Sequence, residues 1–337
     1  MLDKTTQDWR ALAADLEIEG RAFIDGQYQD ALAGETRATM SPADGHKLAD
    51  VANCGVEDAD RAVAIARGAF ASGTWAEMAP ADRKMVLVRW AELIEEHADE
   101  IALLESLDVG KPIANTTASD VPSAVCTIRW SGEAIDKVYD EISPTPADCL
   151  ALVQRLPLGV VAAIVPWNFP LSTTAWKLAP SLATGNSVIL KPASNTPLSA
   201  LRIAGLASEA GLPDGVLQVL PGPGGSLGRH LAMHEDIDGL TFTGSTEVGK
   251  KLMRYSGESN LKRTFLELGG KSPNIVFADA NLEKAAAFAA VAVFYNGGQT
   301  CTAGTRLIVE ESIRERFVEM VVAASRNWMP GDPLDPD

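Results

Sequence analysis

The middle of the chain alternates short apolar segments with helical ones, and this alternation restricts the fold more than any other feature. Strands are predicted over residues 160–165, 187–190, 216–220 and 239–242, and helices over 173–183, 198–210, 227–233 and 247–255. Strands and helices that alternate in this way form βαβ units, whose right-handed crossovers produce a parallel sheet with helices on both faces. The sequence therefore predicts an α/β fold with a doubly wound parallel sheet.

Polar, cationic and glycine residues follow each predicted strand, at the end where doubly wound sheets bind their ligands. The four segments are Pro166-Trp-Asn-Phe-Pro170, Lys191-Pro-Ala-Ser194, Pro221-Gly-Pro-Gly-Gly225 and Thr243-Gly-Ser-Thr-Glu-Val-Gly249. Gly222, Gly224 and Gly228 form only a weak dinucleotide-binding pattern, because the prolines among them are equally typical of a plain loop. The segment from Gly244 to Gly249 leads into a helix, so its backbone N–H groups are candidates for binding a pyrophosphate.

The flanking parts of the chain carry weaker patterns. Residues 1–56 are predicted to be rich in strands, with a hairpin turn at Asp25-Gly26. Helices are predicted over residues 59–70, from Pro80 onwards, and over 99–107 and 118–139; an exposed ribbon is predicted around an apolar strand at 149–153. Further strands are predicted over 263–268, 274–277 and 306–310, with helices over 281–295 and after Ser312 as a cap.

The formal net charge of −16 across 337 residues argues against binding to nucleic acid or to an anionic membrane surface. No apolar run is long enough to span a bilayer, and residues 1–10 lack the basic and then apolar order of a signal peptide. We therefore expect a cytoplasmic protein whose partners include neither nucleic acid nor a membrane. Its length is sufficient for two domains with separate cores.

The cysteines and histidines indicate neither a disulfide framework nor a metal site. The four cysteines, at positions 54, 126, 149 and 301, are scattered without paired spacing. His230 and His234 lie four residues apart, but the metal-binding pattern on such a helix requires a Glu directly after the first histidine, where this chain has Leu231. A structural or solvated histidine pair is the favoured interpretation, and no metal is expected.

Cys301 stands in a run of small and amide residues, Gly297-Gly-Gln-Thr-Cys-Thr302. The glycines leave room for close approach to the sulfur, as a nucleophilic thiol requires, although a buried structural cysteine is the alternative. Attack of a thiol on an aldehyde places negative charge on oxygen, which the side-chain amide of Asn168 and a backbone N–H could stabilise. The carboxylate of Glu267 is suited to activate the water that hydrolyses the resulting thioester. Taken singly, Asn168 could be only a turn residue and Glu267 a structural acid.

In this order the motifs resemble the aldehyde dehydrogenase superfamily, from about residue 20 to the last residue. The resemblance rests on Pro166-Trp-Asn-Phe-Pro170, Trp176-Lys177, Gly185-Asn186, Lys191-Pro192, Phe242-Thr-Gly-Ser-Thr-Glu-Val-Gly249, Leu266-Glu-Leu-Gly-Gly-Lys-Ser-Pro273 and Gly298-Gln-Thr-Cys301. It implies a Rossmann-like cofactor domain followed by the start of a second α/β catalytic domain. It also implies oxidation of an aldehyde to a carboxylate through a cysteine thioester.

The resemblance assigns roles to individual residues. Cys301 is expected to be the nucleophile, Glu267 the general base, and Asn168 with the Cys301 backbone N–H the oxyanion hole. The residues expected to contact NAD or NADP are Val165, Pro166, Trp167, Lys191, Ser194, Gly224, Phe242, Thr243, Gly244, Ser245, Gly249 and Leu268. Among these, Lys191 is expected at the adenine ribose, and Trp167 is expected to line the cofactor path.

Residues 294–306 and 327–336 look like those of the bacterial γ-glutamyl-γ-aminobutyraldehyde dehydrogenases of putrescine degradation. Betaine aldehyde and generic aliphatic aldehyde dehydrogenases are close neighbours, so an aminoaldehyde substrate is expected with these as alternatives. Many NAD-preferring members of the superfamily carry Glu where this chain has Ser194. A carboxylate there would repel the 2′-phosphate of NADP, whereas a hydroxyl tolerates it, so both cofactors are expected to bind.

The resemblance also implies a domain division. Residues 1–139 and 158–267 are expected to form the NAD(P)-binding domain, 140–157 an oligomerisation ribbon and 268–337 a partial catalytic domain. Because the family continues well beyond this point, a truncated fold with unpaired sheet edges and exposed apolar surface is expected. The full-length form is expected to be a homo-oligomer, a dimer or a tetramer. A catalytically silent nucleotide-binding fragment and a CoA-acylating dehydrogenase are the alternatives to an active hydrolytic enzyme.

Overall fold

The protein is described over residues 4–336 by a computed structural model. The strands are β1 (Ala22–Ile24), β2 (Gln27–Gln29), β3 (Thr36–Met40), β4 (Lys47–Ala52), β5 (Glu141–Ser143), β6 (Ala151–Val153), β7 (Val160–Ile164), β8 (Ser187–Lys191), β9 (Leu217–Val219), β10 (Gly239–Gly244), β11 (Arg263–Leu268), β12 (Pro273–Val276) and β13 (Arg306–Val309). The helices are α1 (Thr6–Ala14), α2 (Val56–Ala71), α3 (Pro80–Glu96), α4 (Ala98–Val109), α5 (Ile113–Asn115), α6 (Val121–Ala134), α7 (Pro170–Ala183), α8 (Leu198–Glu209), α9 (Arg229–Met233), α10 (Thr246–Gly257), α11 (Leu282–Phe294) and α12 (Arg314–Ser325).

A seven-stranded sheet with the order β11-β10-β7-β8-β9-β1-β2 holds the largest number of strands. Strands β7 to β11 run parallel, and β1 and β2 are antiparallel at one edge. The parallel strands extend in both directions from β7, which is the doubly wound topology predicted from the sequence. Ile164 pairs with both Lys191 and Phe242, and Gly244 pairs with Leu268. The segments after β7, β8, β10 and β11 therefore emerge at the same edge of the sheet.

Helices cover both faces of this sheet, because its central strands are apolar along their whole length. Every residue of β7, β8 and β9 is buried. Helices α3, α4, α6, α7 and α8 pack on one face around residues such as Leu87, Leu178 and Leu190. Helices α2, α9 and α10 pack on the other face around Val160 and Leu252. Within residues 4–336, no helix combines the length and apolar character required to cross a bilayer.

Two sequence predictions about the first half of the chain are corrected. The N-terminal region is rich in strands as predicted, with β1 to β4, but Thr5 and Asp8 also form a capping box that begins the unpredicted helix α1. The helix predicted over residues 118–139 starts as a π turn, and its α-helical part ends at Ala134. The hairpin turn is confirmed: Asp25 (φ 54°) and Gly26 (φ 75°) both adopt the left-handed conformation that a two-residue turn between β1 and β2 requires.

Two small sheets lie outside the seven-stranded one. Strands β5 and β6 form an antiparallel ribbon with exposed apolar side chains, among them Ile142 (74%) and Leu152 (64%). Strands β12 and β13 pair in parallel and share a small core with α11 and α12, in which Phe317 is fully buried. Ser312 does not cap α12, contrary to the prediction, because its hydroxyl donates to the Glu310 carboxylate in a 3₁₀ turn that precedes the helix.

Candidate active site

A cleft of about 580 Å³ opens at the carboxyl ends of β7, β10 and β11. The predicted site residues that line it are Pro166, Trp167, Asn168, Thr243, Gly244, Ser245, Glu267, Leu268 and Cys301. The predicted cofactor residues that do not line it are Val165, Lys191, Ser194, Gly224, Phe242 and Gly249. All three residues with predicted catalytic roles therefore border one space, although they come from distant parts of the chain.

Asn168 lies in the loop between β7 and α7 and contacts the loop that carries the cysteine. Its side-chain Nδ2 donates a hydrogen bond to the backbone oxygen of Gln299, at 2.7 Å. Asn296 closes the junction, since its Nδ2 donates to the backbone oxygens of Asn168 (2.9 Å) and Gln299 (3.3 Å). A carboxamide nitrogen carries two N–H groups, so Asn168 keeps one N–H beyond its bond to Gln299.

Cys301 is half-buried in a turn and is the one cysteine of the four that lines the cleft. Cys54 is buried, and burial raises the pKa of its thiol to about 12, which keeps it protonated near neutral pH. Cys126 and Cys149 are exposed, on α6 and beside the ribbon respectively. Position alone therefore distinguishes Cys301 as the candidate nucleophile.

Glu267 lies at the carboxyl end of β11, in register with Thr243 of β10. Its side chain is exposed at the cleft, where water can reach the carboxylate. Lys177 of α7 is half-buried; burial lowers the pKa of its ammonium, and the charge of Glu267 opposes that shift. The Glu267 carboxylate therefore has access to solvent, as a base that activates water requires.

Buried charges lie beneath the first turn of α7, and the sequence analysis missed them. Asp120 borders the cleft and forms a buried ion pair with Lys111 (2.8 Å), whose Nζ lies 3.9 Å from the centre of the Phe169 ring. Glu105 accepts a hydrogen bond from the Leu171 N–H at 3.1 Å. Burial, and next the charge of Asp120, raise the pKa of Glu105 to about 7. The sequence signal that could have identified Glu105 is its position as an acidic residue within the apolar helical pattern at 99–107.

Lys191 and Ser194 lie at the end of β8, away from the catalytic cleft. The Lys191 ammonium donates to the backbone oxygens of Pro192 (2.8 Å) and Gly222 (3.0 Å), and the Ser194 hydroxyl donates to the same Gly222 oxygen (2.9 Å). Burial lowers the pKa of Lys191 to about 8. Gly224 begins the adjacent π turn. Both side chains are therefore held on protein carbonyls, while the Lys191 ammonium keeps a third N–H and the Ser194 hydroxyl keeps its acceptor lone pairs for a ligand.

Two glycines, one at the end of β10 and one in the first turn of α10, have little space for a side chain. A Cβ at Gly244 would lie 2.4 Å from the ring of Phe242, and a Cβ at Gly249 would lie 2.7 Å from the side chain of Leu268. Ser245 caps α10 by accepting a hydrogen bond from a backbone N–H of the first turn. The positive end of the α10 dipole therefore faces the cleft edge, which suits an anionic ligand.

The histidine pair has a carboxylate neighbour that the sequence analysis did not find, because it comes from α2. Asp60 lies 2.5 Å from His230 Nε2 and 3.4 Å from His234 Nε2. The Asp236 N–H donates to His234 Nδ1, so in the neutral ring Nε2 carries the proton and donates towards Asp60. That arrangement is a hydrogen-bonded cluster in which His234 offers no free Nε2 lone pair. The absence of a bound metal stays a prediction.

Comparison with known proteins points to one family. The aldehyde dehydrogenase family model matches residues 28–337. The chain is 54% identical over 329 residues to the NADP/NAD-dependent aldehyde dehydrogenase PuuC of Escherichia coli K12, an alignment that covers 97% of this chain and 66% of PuuC. The chain thus spans about two thirds of the length of this relative.

Solved structures give the same result. Gamma-glutamyl-gamma-aminobutyraldehyde dehydrogenase from Burkholderia cenocepacia superposes with a TM-score of 0.98 at 56% identity, over 99% of this chain and 68% of that one. The indole-3-acetaldehyde dehydrogenase AldA of P. syringae, solved with NAD+ and IAA, superposes with a TM-score of 0.98 at 57% identity over the same shares of the two chains. A family match over nearly the whole chain, together with these superpositions, shows that the chain belongs to the aldehyde dehydrogenase family.

Proposed function

We propose that this chain is the nucleophile-bearing and nucleotide-binding part of an NAD(P)-dependent aldehyde dehydrogenase, which oxidises an aldehyde to a carboxylate. The observation that carries the proposal is that Asn168, Glu267 and Cys301 line the same cleft at the ligand-binding edge of a doubly wound sheet. This is the set that thioester chemistry needs: a nucleophile, a donor for the developing oxyanion and a base for water.

The Cys301 thiolate forms a bond to the aldehyde carbon, and the carbonyl electron pair moves to oxygen. The remaining N–H of the Asn168 carboxamide and the backbone N–H of Cys301 stabilise that negative charge. Loss of hydride from the carbon leaves a thioester. Glu267 takes a proton from water, the water oxygen attacks the thioester carbon, and the sulfur departs as thiolate, which releases the carboxylic acid.

The residues beside the cleft fit a dinucleotide. When bound, NAD or NADP supplies the hydride acceptor for this oxidation. The buried Thr243 hydroxyl borders the cleft without a hydrogen-bond partner among residues 4–336, so a ligand that offers an acceptor would satisfy it. Ser245 and Gly249 are suited to hold a pyrophosphate at the start of α10, and Lys191 and Ser194 to hold the ribose. Trp167 is exposed along the same edge.

We expect both NAD and NADP to bind, because Ser194 brings no negative charge to the ribose site. Replacement by glutamate (S194E) should weaken NADP binding about tenfold or more while NAD binding changes little, since two anions would then meet. Quenching of tryptophan fluorescence by each cofactor measures the two affinities. An equal loss for both cofactors would show that Ser194 does not border the 2′ position.

The substrate we propose is an aminoaldehyde of the γ-glutamyl-γ-aminobutyraldehyde type, with betaine or generic aliphatic aldehydes as the alternative. Support comes from the Burkholderia cenocepacia relative, whose name states that substrate. The relative solved with NAD+ and IAA is named for indole-3-acetaldehyde and is equally similar, so the two substrates need a direct comparison. Measurement of kcat/KM with both aldehydes decides between them, and a preference for the indole compound would reject the aminoaldehyde.

The reaction itself is tested by aldehyde-dependent NADH formation, with Cys301→Ala as the control that lacks the nucleophile. Glu267→Gln should abolish steady turnover but leave a stoichiometric burst of NADH, because the thioester forms and then is not hydrolysed. Retention of turnover by Glu267→Gln in the presence of CoA would favour an acylating dehydrogenase instead.

A catalytically silent nucleotide-binding unit is the second candidate. The observation that favours it is the small core of the part that carries Cys301, in which the buried apolar residues are Val276, Ala286, Ala289 and Phe317. It predicts cofactor binding by the 337-residue chain without turnover above that of Cys301→Ala.

We further propose the domain division of residues 1–139 with 158–267, 140–157 and 268–337, and a cytoplasmic homo-oligomer formed through the β5–β6 ribbon. The exposed apolar side chains of that ribbon support the last point, because such a patch favours association. Replacement of Ile142 and Leu152 by lysine should reduce the mass measured by light scattering.

A further inference from the structure

The turn that precedes Cys301 holds an asparagine in an uncommon backbone conformation. Asn296 has φ 52° and ψ 36°, in the left-handed region, and Gly297 and Gly298 follow it with positive φ. A residue with a Cβ pays a conformational penalty in this region that glycine avoids. The presence of asparagine at the first of these three positions therefore directs attention to its side chain.

That side chain is buried, and its amide nitrogen donates to two backbone oxygens. Asn296 is 6% exposed, and its Nδ2 donates to the backbone oxygens of both Asn168 and Gln299. The backbone oxygen of Gln299 also accepts a hydrogen bond from the Asn168 carboxamide, and the Gln299 N–H donates to the backbone oxygen of Asn296 at 3.1 Å. One buried amide thus joins the loop after β7 to the loop before Cys301 and shares an acceptor with the predicted oxyanion donor.

We propose that Asn296 is a positioning residue, which orients the Asn168 carboxamide towards the oxygen of a carbonyl group bound to the Cys301 sulfur. This inference rests on the proposed function, because it assumes that Cys301 attacks carbonyl carbon. Without the Asn296 amide, the Gln299 oxygen and the Asn168 main chain lose a shared donor, and the Asn168 side chain is held only by its own hydrogen bond to the Gln299 oxygen.

Two reagents separate this role from a general effect on the thiol. With p-nitrophenyl acetate, the thiolate bonds to the carbonyl carbon, the carbonyl electron pair moves to oxygen, and collapse expels p-nitrophenolate. With iodoacetamide, the thiolate displaces iodide from a saturated carbon and no oxyanion forms. The ratio of Cys301 acylation to Cys301 alkylation therefore isolates stabilisation of the oxyanion, and neither reaction requires a cofactor. Peptide mass spectrometry assigns both adducts, with Cys126 and Cys149 as internal standards.

The informative variant is Asn296→Asp, which keeps the size of the side chain and tolerates the left-handed conformation but cannot donate when ionised. We expect its acylation-to-alkylation ratio to fall about tenfold or more, as for a misplaced catalytic group. Asn296→Gly preserves the turn without the amide and should show the same fall. Asn281 caps α11, because its side chain accepts a hydrogen bond from the Lys284 N–H at 3.1 Å. Asn281→Ala removes this cap and should leave the ratio unchanged.

The outcomes distinguish the inference from the proposed function. Equal acylation of the wild type and Cys301→Ala would overturn the proposed function, and with it this inference. Acylation that depends on Cys301 and on Asn168, with a normal ratio in Asn296→Asp or in Asn296→Gly, would overturn the inference alone. Thermal unfolding of each variant, compared with Asn281→Ala, verifies that loss of fold is not the cause of a reduced ratio.

Discussion

The site joins two regions that are packed very differently. Glu267 lies near the end of a strand of the seven-stranded sheet, and Asn168 lies in the loop after another. This sheet has extensive buried cores on both faces. Cys301 lies in residues 273–325, which we call the C-terminal unit. In this unit a two-stranded sheet and two helices share a small core. Large apolar side chains of this unit are exposed, including Phe277 (62%) and Phe288 (69%).

The nucleophile and the other two groups therefore do not share one source of rigidity. Because burial of apolar surface is the main stabilising term, the sheet should resist opening far better than the C-terminal unit. The separation between the Cys301 loop and the Asn168 loop then depends on the contacts that cross between the regions. Those contacts include the hydrogen bonds of Asn296 and Asn168 and the stacked rings of Phe169 and Tyr295, whose centres lie 6.3 Å apart.

The largest expected effect comes from the small core. Phe317→Ala removes the fully buried aromatic side chain of the C-terminal unit and should cost about 3–5 kcal/mol. We expect hydrogen exchange to rise throughout residues 273–325 and to stay unchanged in β7 and β8. Val318→Ala, at the exposed neighbouring position, is the matched control and should leave exchange unchanged. A rise in β7 and β8 of the same size would mean that the two regions unfold together.

A smaller effect is expected where the sheet is tightly packed. Gly249→Ala would place a Cβ 2.7 Å from the Leu268 side chain, so that side chain must change rotamer or α10 and β11 must move apart, at a cost of about 1–3 kcal/mol. Gly257→Ala on the same helix has no atom within 4 Å of the added Cβ and should be neutral or slightly stabilising. Urea unfolding measures both free energies. Equal stability of the two variants would show that close packing at Gly249 does not limit the sheet.

The sequence was sufficient for the sheet because its strands are continuously apolar and the helices between them follow a regular rhythm. The proximity of Asn168, Glu267 and Cys301 was also predicted, since two of these residues end parallel strands and the family resemblance related the third to them. Helix α1 was missed despite its Thr5 and Asp8 capping box, because the strand signals nearby dominated the prediction.

Contacts between distant residues could not be predicted, because no periodic pattern encodes them. The pairing of Lys111 with Asp120 depends on how α4 and the π turn before α6 fold against each other. Likewise, Lys191 was expected at a ribose, and its bond to the Gly222 oxygen follows from the close approach of the loops after β8 and β9. The hydrogen bonds of Asn296 require the left-handed conformation of this residue. The glycines that follow Asn296 indicated a loop, but they did not indicate that conformation.

The pH dependence of the free energy of unfolding should arise from buried acids that pack against the seven-stranded sheet. Burial raises the pKa of Glu105 from 4.5 to about 7, so the folded state binds its proton more tightly than the unfolded chain. The resulting stabilisation is complete below pH 4.5 and is lost as pH rises through 7. Glu105→Gln stays neutral, and should flatten the fall in unfolding free energy across that window by at most about 1.4 kcal/mol per pH unit.

Urea unfolding at a series of pH values measures this slope for each protein. The matched control is Glu319→Gln, an exposed position on α12, which should retain the slope of the wild type. An unchanged slope in Glu105→Gln would assign the pH dependence to other buried acids. Asp108 is the first of these, since burial raises its pKa to about 7 as well.

The smallest expected effect applies the same change to both regions. Ser245 caps α10 and Asn281 caps α11, each through a side-chain oxygen that accepts a backbone N–H of the first turn. Ser245→Ala and Asn281→Ala should each cost about 1 kcal/mol.

In hydrogen exchange, the Ser245→Ala effect should stay within the first turn of α10, because the large core holds the rest of that helix. The Asn281→Ala effect should extend through α11 to β12 and β13, since a small core offers little resistance to opening. Effects confined to the first turn in both variants would show that the C-terminal unit resists opening as well as the sheet does.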